Sequence, residues 1–352
     1  MPTTRTATDR CPGALRLHAA DDGHVARIRV PGGRVTAPQL LALCDAADAL
    51  GDGVLHLTSR GNVQVRGLAA DAGEDVATRL VAAGLLPSLA HDRVRNVVAS
   101  PYADLDGVLA DFDRALVADP GLVELSGRFL FGIDDGSGDV LALRPDLAVT
   151  AGSDGPDRWR LVVDGHPTEL VGDAVTLLIT AAHRFLDLRA QHAPEAWRVR
   201  ELGTAAAHLG ERHAKRLLSL PTRMTSNPAT AIVPLGAPTK AWRALAGLAP
   251  QLVLTPWRTV VVVADPAAVR AAGFDTDPDS VWARTSACIG RPGCASALAD
   301  VRRDAAELAT AHPGRTIHIS GCARRCGHPV AAHLDVVATD AGYQIQERPD
   351  GV

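Results

Sequence analysis

Two pairs of cysteines late in the chain constrain it more than any other feature. The segment "ACIGRPGC" sets five residues between Cys288 and Cys294, and "GCARRC" sets three between Cys322 and Cys326. The twenty-seven residues between the pairs read as a helix and a strand. Such a connection returns the second loop beside the first, so that four thiolates can converge on one centre. Structural zinc uses tighter knuckles, with two to four residues between ligands. A five-residue loop holding Pro292 and two glycines suits a larger guest. Gly290 and Gly293 let backbone approach bridging sulfides and offer amide donors to them. Cys294 is expected to open a helix, whose positive end favours a thiolate. The spacing therefore predicts an iron–sulfur cluster on Cys288, Cys294, Cys322 and Cys326, with zinc and redox-active or buried thiols as the alternatives. Cys11 and Cys44 stand alone. Cys44 lies in a helical apolar pattern and is expected in the core.

With 352 residues the chain can form two or three domains, each with its own core. Aromatic residues make up only 3%, so Ala, Leu and Val must fill those cores. The net charge of −4 gives no support to nucleic-acid or anionic-membrane binding, so an anionic ligand has to be met by local arginines. The first residues lack the charged-then-apolar order of a secretory signal, and no apolar run approaches the roughly 20 residues of a membrane helix. The expectation is a cytoplasmic chain, where grouped cysteines point to metal or catalysis rather than disulfides.

The order of elements hints at duplication. Residues 24–30 alternate like a strand, and Thr36 with Pro38 marks a helix start that runs to Gly51. "GVLHLTS", a turn at Arg60-Gly61-Asn62 and "VQVRGL" read as a hairpin, followed by a helix near 74–83. Later, 235–249 reads as a turn and helix, 251–265 as a strand and 265–273 as a short helix. The shared phrase is leucine-x-leucine-threonine with an arginine close behind, Arg60 in the first copy and, one position later, Arg258 in the second. Between the copies, 128–134, 139–144 and 159–165 look extended, and 169–190 and 196–219 look helical. The turn-rich 221–230 is the candidate linker. The C-terminal part reads as a helix near 294–311 and strands at 316–320, 332–339 and 343–347.

The paired loops, above all "SGCARRCGHP" (320–329), resemble the sulfite and nitrite reductase superfamily, in which a four-cysteine cluster sits beside a sirohaem. "HLTSRGNVQVRGL" (56–68) is similar to its threonine-arginine strand, and "RVRNVVASPYADLD" (93–106) to its arginine-asparagine segment. The resemblance covers most of the chain apart from about 166–225. It implies an α+β, pseudo-twofold, sulfite/nitrite-reductase-like architecture with two ferredoxin-like halves and two α/β lobes. The implied segments are 1–75 (first half), 76–220 (first lobe with a helical extension), 221–283 (second half) and 284–352 (iron–sulfur lobe). Within the superfamily, "LTPWRTVVV" (254–262), "VRNVVASP" (94–101) and "GCARRCGHP" resemble the precorrin-3B synthase branch of aerobic cobalamin biosynthesis. That resemblance implies oxygen-dependent hydroxylation of a precorrin-type tetrapyrrole at C20, with closure of a γ-lactone. It implies a 4Fe-4S cluster and a non-haem iron, dioxygen as co-substrate and an external electron donor. No glycine-rich dinucleotide fingerprint follows a strand, which agrees with a separate donor. The alternatives are a sirohaem-dependent sulfite or nitrite reductase and a non-enzymatic iron–sulfur carrier.

A precorrin carries many acetate and propionate arms, and Arg is the bidentate partner for them. The candidate substrate-binding residues are Arg60, Gln64 and Arg66 on the hairpin, Arg93 and Arg95, Arg128, and Arg324 with Arg325 between two cluster cysteines; the alternative for each is a solvated surface charge. Arg60 and Arg95 match superfamily arginines. Two departures stand out. Leu130 replaces a superfamily lysine, which weakens the reductase reading, because reducing a small anion needs a densely cationic pocket. Arg325 replaces the usual Gly before the last cysteine, where a positive φ is common. His56, His318, His328 and His333 lie near the proposed site in sequence, but no pattern among them assigns an iron.

Overall fold

The computed structural model describes residues 9, 11–152, 158–210, 229–237, 241–329 and 331–349. The chain is α+β, with four sheets. The first unit contains β1 (His18–Ala20), β2 (Gly23–Ile28), β3 (Arg34–Thr36), α1 (Ala37–Leu50), β4 (His56–Leu57), β5 (Val63–Leu68) and α2 (Gly73–Ala82). Helix α1 starts at a capping box, in which Thr36 accepts from Gln39 N–H and the Gln39 side chain accepts from Thr36 N–H. Pro38 follows in the first turn, where its missing donor costs nothing. The sheet order is β1-β2-β5-β4, all antiparallel.

The first lobe follows, with β6 (Val97–Ala99), α3 (Asp106–Ala118), β7 (Phe131–Asp134), β8 (Leu147–Ala151), β9 (Trp159–Val163), β10 (His166–Gly172) and α4 (Ala174–His192). Strands β6, β7 and β8 run parallel and β9 runs against them. The second half-unit has β11 (Ala229–Ile232), α5 (Ala241–Ala246), β12 (Gln251–Leu254), β13 (Thr259–Val262) and α6 (Pro266–Ala271). Its sheet, β11-β13-β12-β3, borrows β3 from the first unit. The last lobe has β14 (Thr285–Ala287), α7 (Val301–Thr310), β15 (Ile317–Ser320), β16 (His333–Thr339) and β17 (Gly342–Arg348). Its β14, β15 and β16 are parallel and β17 antiparallel, the pattern of the first lobe.

The duplication reaches individual hydrogen bonds. Thr58 N–H donates to Asn62 O and Gly61 N–H to Thr58 O, at 2.9 and 3.2 Å; Thr255 N–H donates to Thr259 O and Arg258 N–H to Thr255 O, at 2.9 and 3.1 Å. In both turns the threonine hydroxyl accepts two amides of the turn. Gly61 (φ +66°) and Arg258 (φ +59°) occupy the same left-handed position, which explains the one-residue offset of the arginines. Val30-Pro31-Gly32-Gly33 and Val233-Pro234-Leu235-Gly236 form a second matched pair, closed by Gly33 N–H to Val30 O and Gly236 N–H to Val233 O. The two half-units share one core, in which Leu40 and Leu43 of α1, Val63 of β5, Leu245 of α5 and Val260 of β13 are fully buried.

Several expectations need correction. Residues 251–265 form two strands rather than one, because Pro256 and the Thr255 cap fold the segment into a hairpin. Residues 139–144 are not a strand; Leu141–Leu143 make a 3-10 turn that ends at Arg144 with φ +52°. Residues 169–172 belong to β10, and α4 starts only after Asp173, whose side chain accepts from Thr176 N–H. In 196–219 the described part is a 3-10 segment, Val199–Leu209. Residues 211–219 of that stretch, and 221–228 of the expected linker, lie outside the described residues. Cys294 does not open a helix: α7 begins at Val301 under an Asp300 cap, so the helix-end argument for that thiol falls. Among the described residues no helix is long and apolar enough to cross a membrane.

Candidate active site

The four sheets meet at a cleft of about 400 Å³. Its wall takes Arg60 from the first hairpin turn, Trp257 and Arg258 from the second, Leu130 and Leu143 from the first lobe, Ser286 from β14, and Gly327 and His328 from the loop after β15. The two duplicated turns thus face one space, a consequence of the pseudo-twofold arrangement.

Cys288 directly follows β14, and its N–H continues the ladder to Ile319 O at 3.0 Å. Its Sγ accepts from Gly321 N–H at 3.1 Å. Cys322 lies two residues beyond β15, and Arg325 N–H donates to its carbonyl to close the loop toward Cys326. The Cys294 loop turns through a cis Arg291–Pro292 bond. Gly290 there has φ +68°, and a Cβ at this position would stand 2.6 Å from Val301 Cγ2, so only glycine fits. Burial raises the Cys326 thiol, and the nearby Cys288, Cys322 and Cys294 raise it further. Cys326 is exposed and the other three are half-buried.

The candidate arginines divide. Arg60 lines the cleft, donates to Arg128 O at 3.2 Å, and is pushed down to about 10 by burial and then by Arg198 and Arg29. The others are engaged elsewhere. Arg66 is held bidentately by Asp22 at 2.7 and 2.8 Å and buttresses the Cys294 loop, where Asp21 accepts from Ala295 N–H at 2.6 Å. Gln64, with its amide oxygen turned to the guanidinium, accepts from Arg27 at 2.7 and 3.2 Å. Arg93 pairs with Asp9 at 3.5 Å. Arg95 is buried and held bidentately by Asp113 at 2.7 and 2.8 Å, away from the cleft. Arg128 precedes β7 rather than opening it, and its guanidinium lies 4.9 Å from the centroid of Trp197. Arg324 is exposed on the cysteine loop. Arg325 takes φ +50°, the conformation expected of the glycine it replaces, and its Nε reaches Asp335 Oδ2 at 2.5 Å. A pairing partner thus explains what sequence spacing could not: an arginine on the right strand is unavailable once an aspartate claims it.

Three cleft cations or rings were not candidates from sequence. Arg258 is pushed down by burial alone. Arg198 is anchored to the buried Asp146 at 2.6 Å and borders the cleft. Trp257 also lines the cleft and packs against the cluster of Val98, Leu130 and Val140. The phrase "TPWR" and its likeness to the first hairpin was the available signal for two of these; nothing local marks Arg198.

The histidines sit on the polar face of the last sheet. His318 and Asp335 are direct neighbours in the β15–β16 register, and His333 lies two residues before Asp335. His318 Nδ1 is 2.8 Å from Ser286 Oγ, and His333 Nδ1 is 2.8 Å from Ala331 O. Their Nε2 atoms and Asp335 Oδ1 are buried without partners. Burial, with Arg258 and His333, pushes His318 down to about 3 and keeps it neutral. His56 lies apart, with Nε2 3.1 Å from Asp52 Oδ2, and His328 borders the cleft.

The family model for the nitrite/sulfite reductase ferredoxin-like half domain matches residues 18–83, the segment of the first half-unit. A Sinorhizobium protein named precorrin-3B synthase is 27% identical, over 95% of this chain and 82% of its own length. The solved Mycobacterium tuberculosis NirA protein superposes with a TM-score of 0.68 at 17% identity, over 93% of this chain and 74% of that one. The chain is thus similar over most of its length to a protein named precorrin-3B synthase, and its fold is that of NirA. A ferredoxin–nitrite reductase of Synechococcus elongatus is 36% identical over 95 residues, which are 26% of this chain and 19% of that enzyme. Duplication of the half-unit explains the twinned turns and the shared core. It accounts for the cleft as well, since each half-unit presents one arginine-bearing turn to the same space.

Proposed function

We propose that the chain is an iron–sulfur oxidoreductase that converts precorrin-3A to precorrin-3B, hydroxylating C20 and closing a γ-lactone, in aerobic cobalamin biosynthesis. The observation that carries this reading is the likeness to a protein named precorrin-3B synthase over 95% of the chain. The cleft supports it in kind. Arg60, Arg198 and Arg258 stand around a wall formed by Leu130, Leu143 and Trp257, which suits an apolar macrocycle with carboxylate arms. Leu130, buried at 2%, makes that wall greasy where reduction of a small anion would want a cation.

The cysteines fit a cluster. Among the described residues no three of the four sulfurs gather within 4.8 Å of one another. Tetrahedral zinc, with bonds of about 2.3 Å, would hold its sulfurs roughly 3.8 Å apart. Gly321 N–H already points at Cys288 Sγ, the amide donation that stabilises an electron-rich centre. When bound, a 4Fe-4S cluster supplies one-electron transfer from an external donor. The chain's own part is to hold the carboxylate arms on Arg60 and Arg258, to set the ring against Trp257, and to keep water from the apolar wall.

For a non-haem iron, His318, His333 and Asp335 are the right donor types. Their bare atoms are not gathered within 4.8 Å, and Asp335 is already held by Arg325 and Arg348. The spacing does not fit, and no iron is assigned to them. The test is incubation of anaerobically purified protein with precorrin-3A, a reductant and dioxygen. Gain of one oxygen atom in the product supports the reading; unchanged precorrin-3A, with sulfite or nitrite consumed instead, contradicts it.

A further inference from the structure

Because the two lobes share one pattern, positions around the cysteine loop have counterparts in the first lobe. Cys288 N–H donates to Ile319 O at 3.0 Å, and Ser100 N–H donates to Ile133 O at 3.1 Å. Cys288 Sγ accepts from Gly321 N–H at 3.1 Å, and Ser100 Oγ accepts from Asp135 N–H at 3.1 Å. Ser320 ends β15 as Asp134 ends β7. The loop that carries Cys322 and Cys326 in one lobe is therefore Asp134-Asp135-Gly136-Ser137-Gly138-Asp139 in the other. One loop carries sulfur donors and the other carries carboxylates, at different positions along it.

Asp134, Asp135 and Asp139 each place a carboxylate oxygen within 4.8 Å of the other two. Asp134 is 0% exposed and Asp139 7%. Asp134 Oδ1 accepts from Gly136 N–H, Gly138 N–H and Thr150 Oγ1 at 2.9 to 3.0 Å, which fixes the carboxylate; its Oδ2 is buried with no partner. Asp139 Oδ1 accepts from Ser100 Oγ and Val140 N–H, both at 2.6 Å. The charged neighbours acting on Asp134 and Asp139 are carboxylates of this same trio. Carboxylates this close, two of them out of water, repel each other unless something positive joins them.

We propose that Asp134, Asp135 and Asp139 bind a hard divalent cation of the Ca²⁺ class, with the bare Asp134 Oδ2 as the buried donor. Ca²⁺ accepts six to eight oxygens in irregular arrangements, and this loop offers carboxylates and backbone carbonyls at close sequence spacing, whereas Mg²⁺ demands near-octahedral order. The set contains neither thiolate nor imidazole, so it suits neither zinc nor a non-haem iron. The same loop runs on to Leu143, so the ion fixes one wall of the cleft. The inference stands whether or not that cleft takes a tetrapyrrole. The rival occupant is a proton, since burial raises both Asp134 and Asp139.

The test uses the purified, cluster-containing protein, dialysed against EGTA and titrated near neutral pH with Ca²⁺ by calorimetry, with melting temperature followed in parallel. One equivalent of Ca²⁺ should bind and raise the melting temperature. Asp139→Asn keeps the Oδ1 acceptor for Ser100, and the exposed Asp135→Asn leaves the core alone; each should weaken binding at least about tenfold without changing the cluster absorption. Absence of binding at millimolar Ca²⁺ would overturn the proposal and leave the proton as occupant. So would undiminished affinity in both variants.

Discussion

Arg325 shows how a single residue can meet two demands. Its backbone sits at φ +50°, which costs a non-glycine residue about 1 kcal/mol. Its guanidinium helps neutralise the buried Asp335, beside Arg348. The departure from glycine was visible in the sequence; the aspartate that accounts for it lies ten residues on and became visible only through the β15–β16 register. The same limit explains Arg66 and Arg95, since residue type announces a cation but not who neutralises it. Among the described residues no aspartate or glutamate claims Arg258, whose guanidinium is lowered by burial. Arg258→Ala should therefore lower kcat/KM for the precorrin about 10- to 100-fold, through KM and with the melting temperature nearly unchanged, the loss of one charge-assisted contact of about 1.5–3 kcal/mol. Steady-state kinetics checks this. Cys44 behaves oppositely. Burial raises its thiol to about 11, so the neutral form dominates through neutral and mildly alkaline pH. It should resist alkylation by iodoacetamide in the native protein near pH 8 and react only after unfolding, as peptide mass mapping would show.

Among the elements, those bounded by side-chain caps were the most legible. Thr36, Gln39 and Pro38 declare α1, and Gly51 ends it. Less legible were elements whose boundaries depend on pairing. "QLVLTPWRTVVVV" reads as one apolar run until Pro256 turns it back on itself, and "DVLALR" alternates like a strand yet winds into a 3-10 turn under Arg144. The Val-Pro-x-Gly turns that mark the duplication have too little length to show periodicity. Gly33 is where such a turn becomes indispensable. It has φ +71°, and a Cβ there would meet Leu254 O of β12 (1.9 Å). Gly33→Ala should destabilise by at least about 2 kcal/mol, because strain and clash add where β3 joins the second sheet. Gly107 in α3 has nothing within 4 Å of its virtual Cβ, so Gly107→Ala should be neutral or stabilising by up to about 1 kcal/mol. Urea midpoints of the two variants separate these outcomes.

At the scale of the whole molecule, duplication explains the cleft. Two half-units share a core and present their twin turns to one space, and two lobes of like topology flank it, with thiols in one and carboxylates in the other. The repeated leucine-x-leucine-threonine phrase hinted at the duplication and the family resemblance implied the two lobes, while the cleft's own lining came from parts far apart in sequence. Arg198 illustrates why, because its place depends on Asp146, buried at 1% in another segment and also accepting from Leu130 and Val199 N–H. Everything proposed for that cleft rests on a redox cluster held beside it by Cys288, Cys294, Cys322 and Cys326. Iron and acid-labile sulfide analysis of the anaerobically purified protein, with an absorption spectrum, tests it most directly. Iron and sulfide are expected in near-equal amounts with a broad band at about 400 nm, all lost together in Cys322→Ser. Zinc without sulfide, or a Cys322→Ser variant that keeps its iron and sulfide, would contradict it.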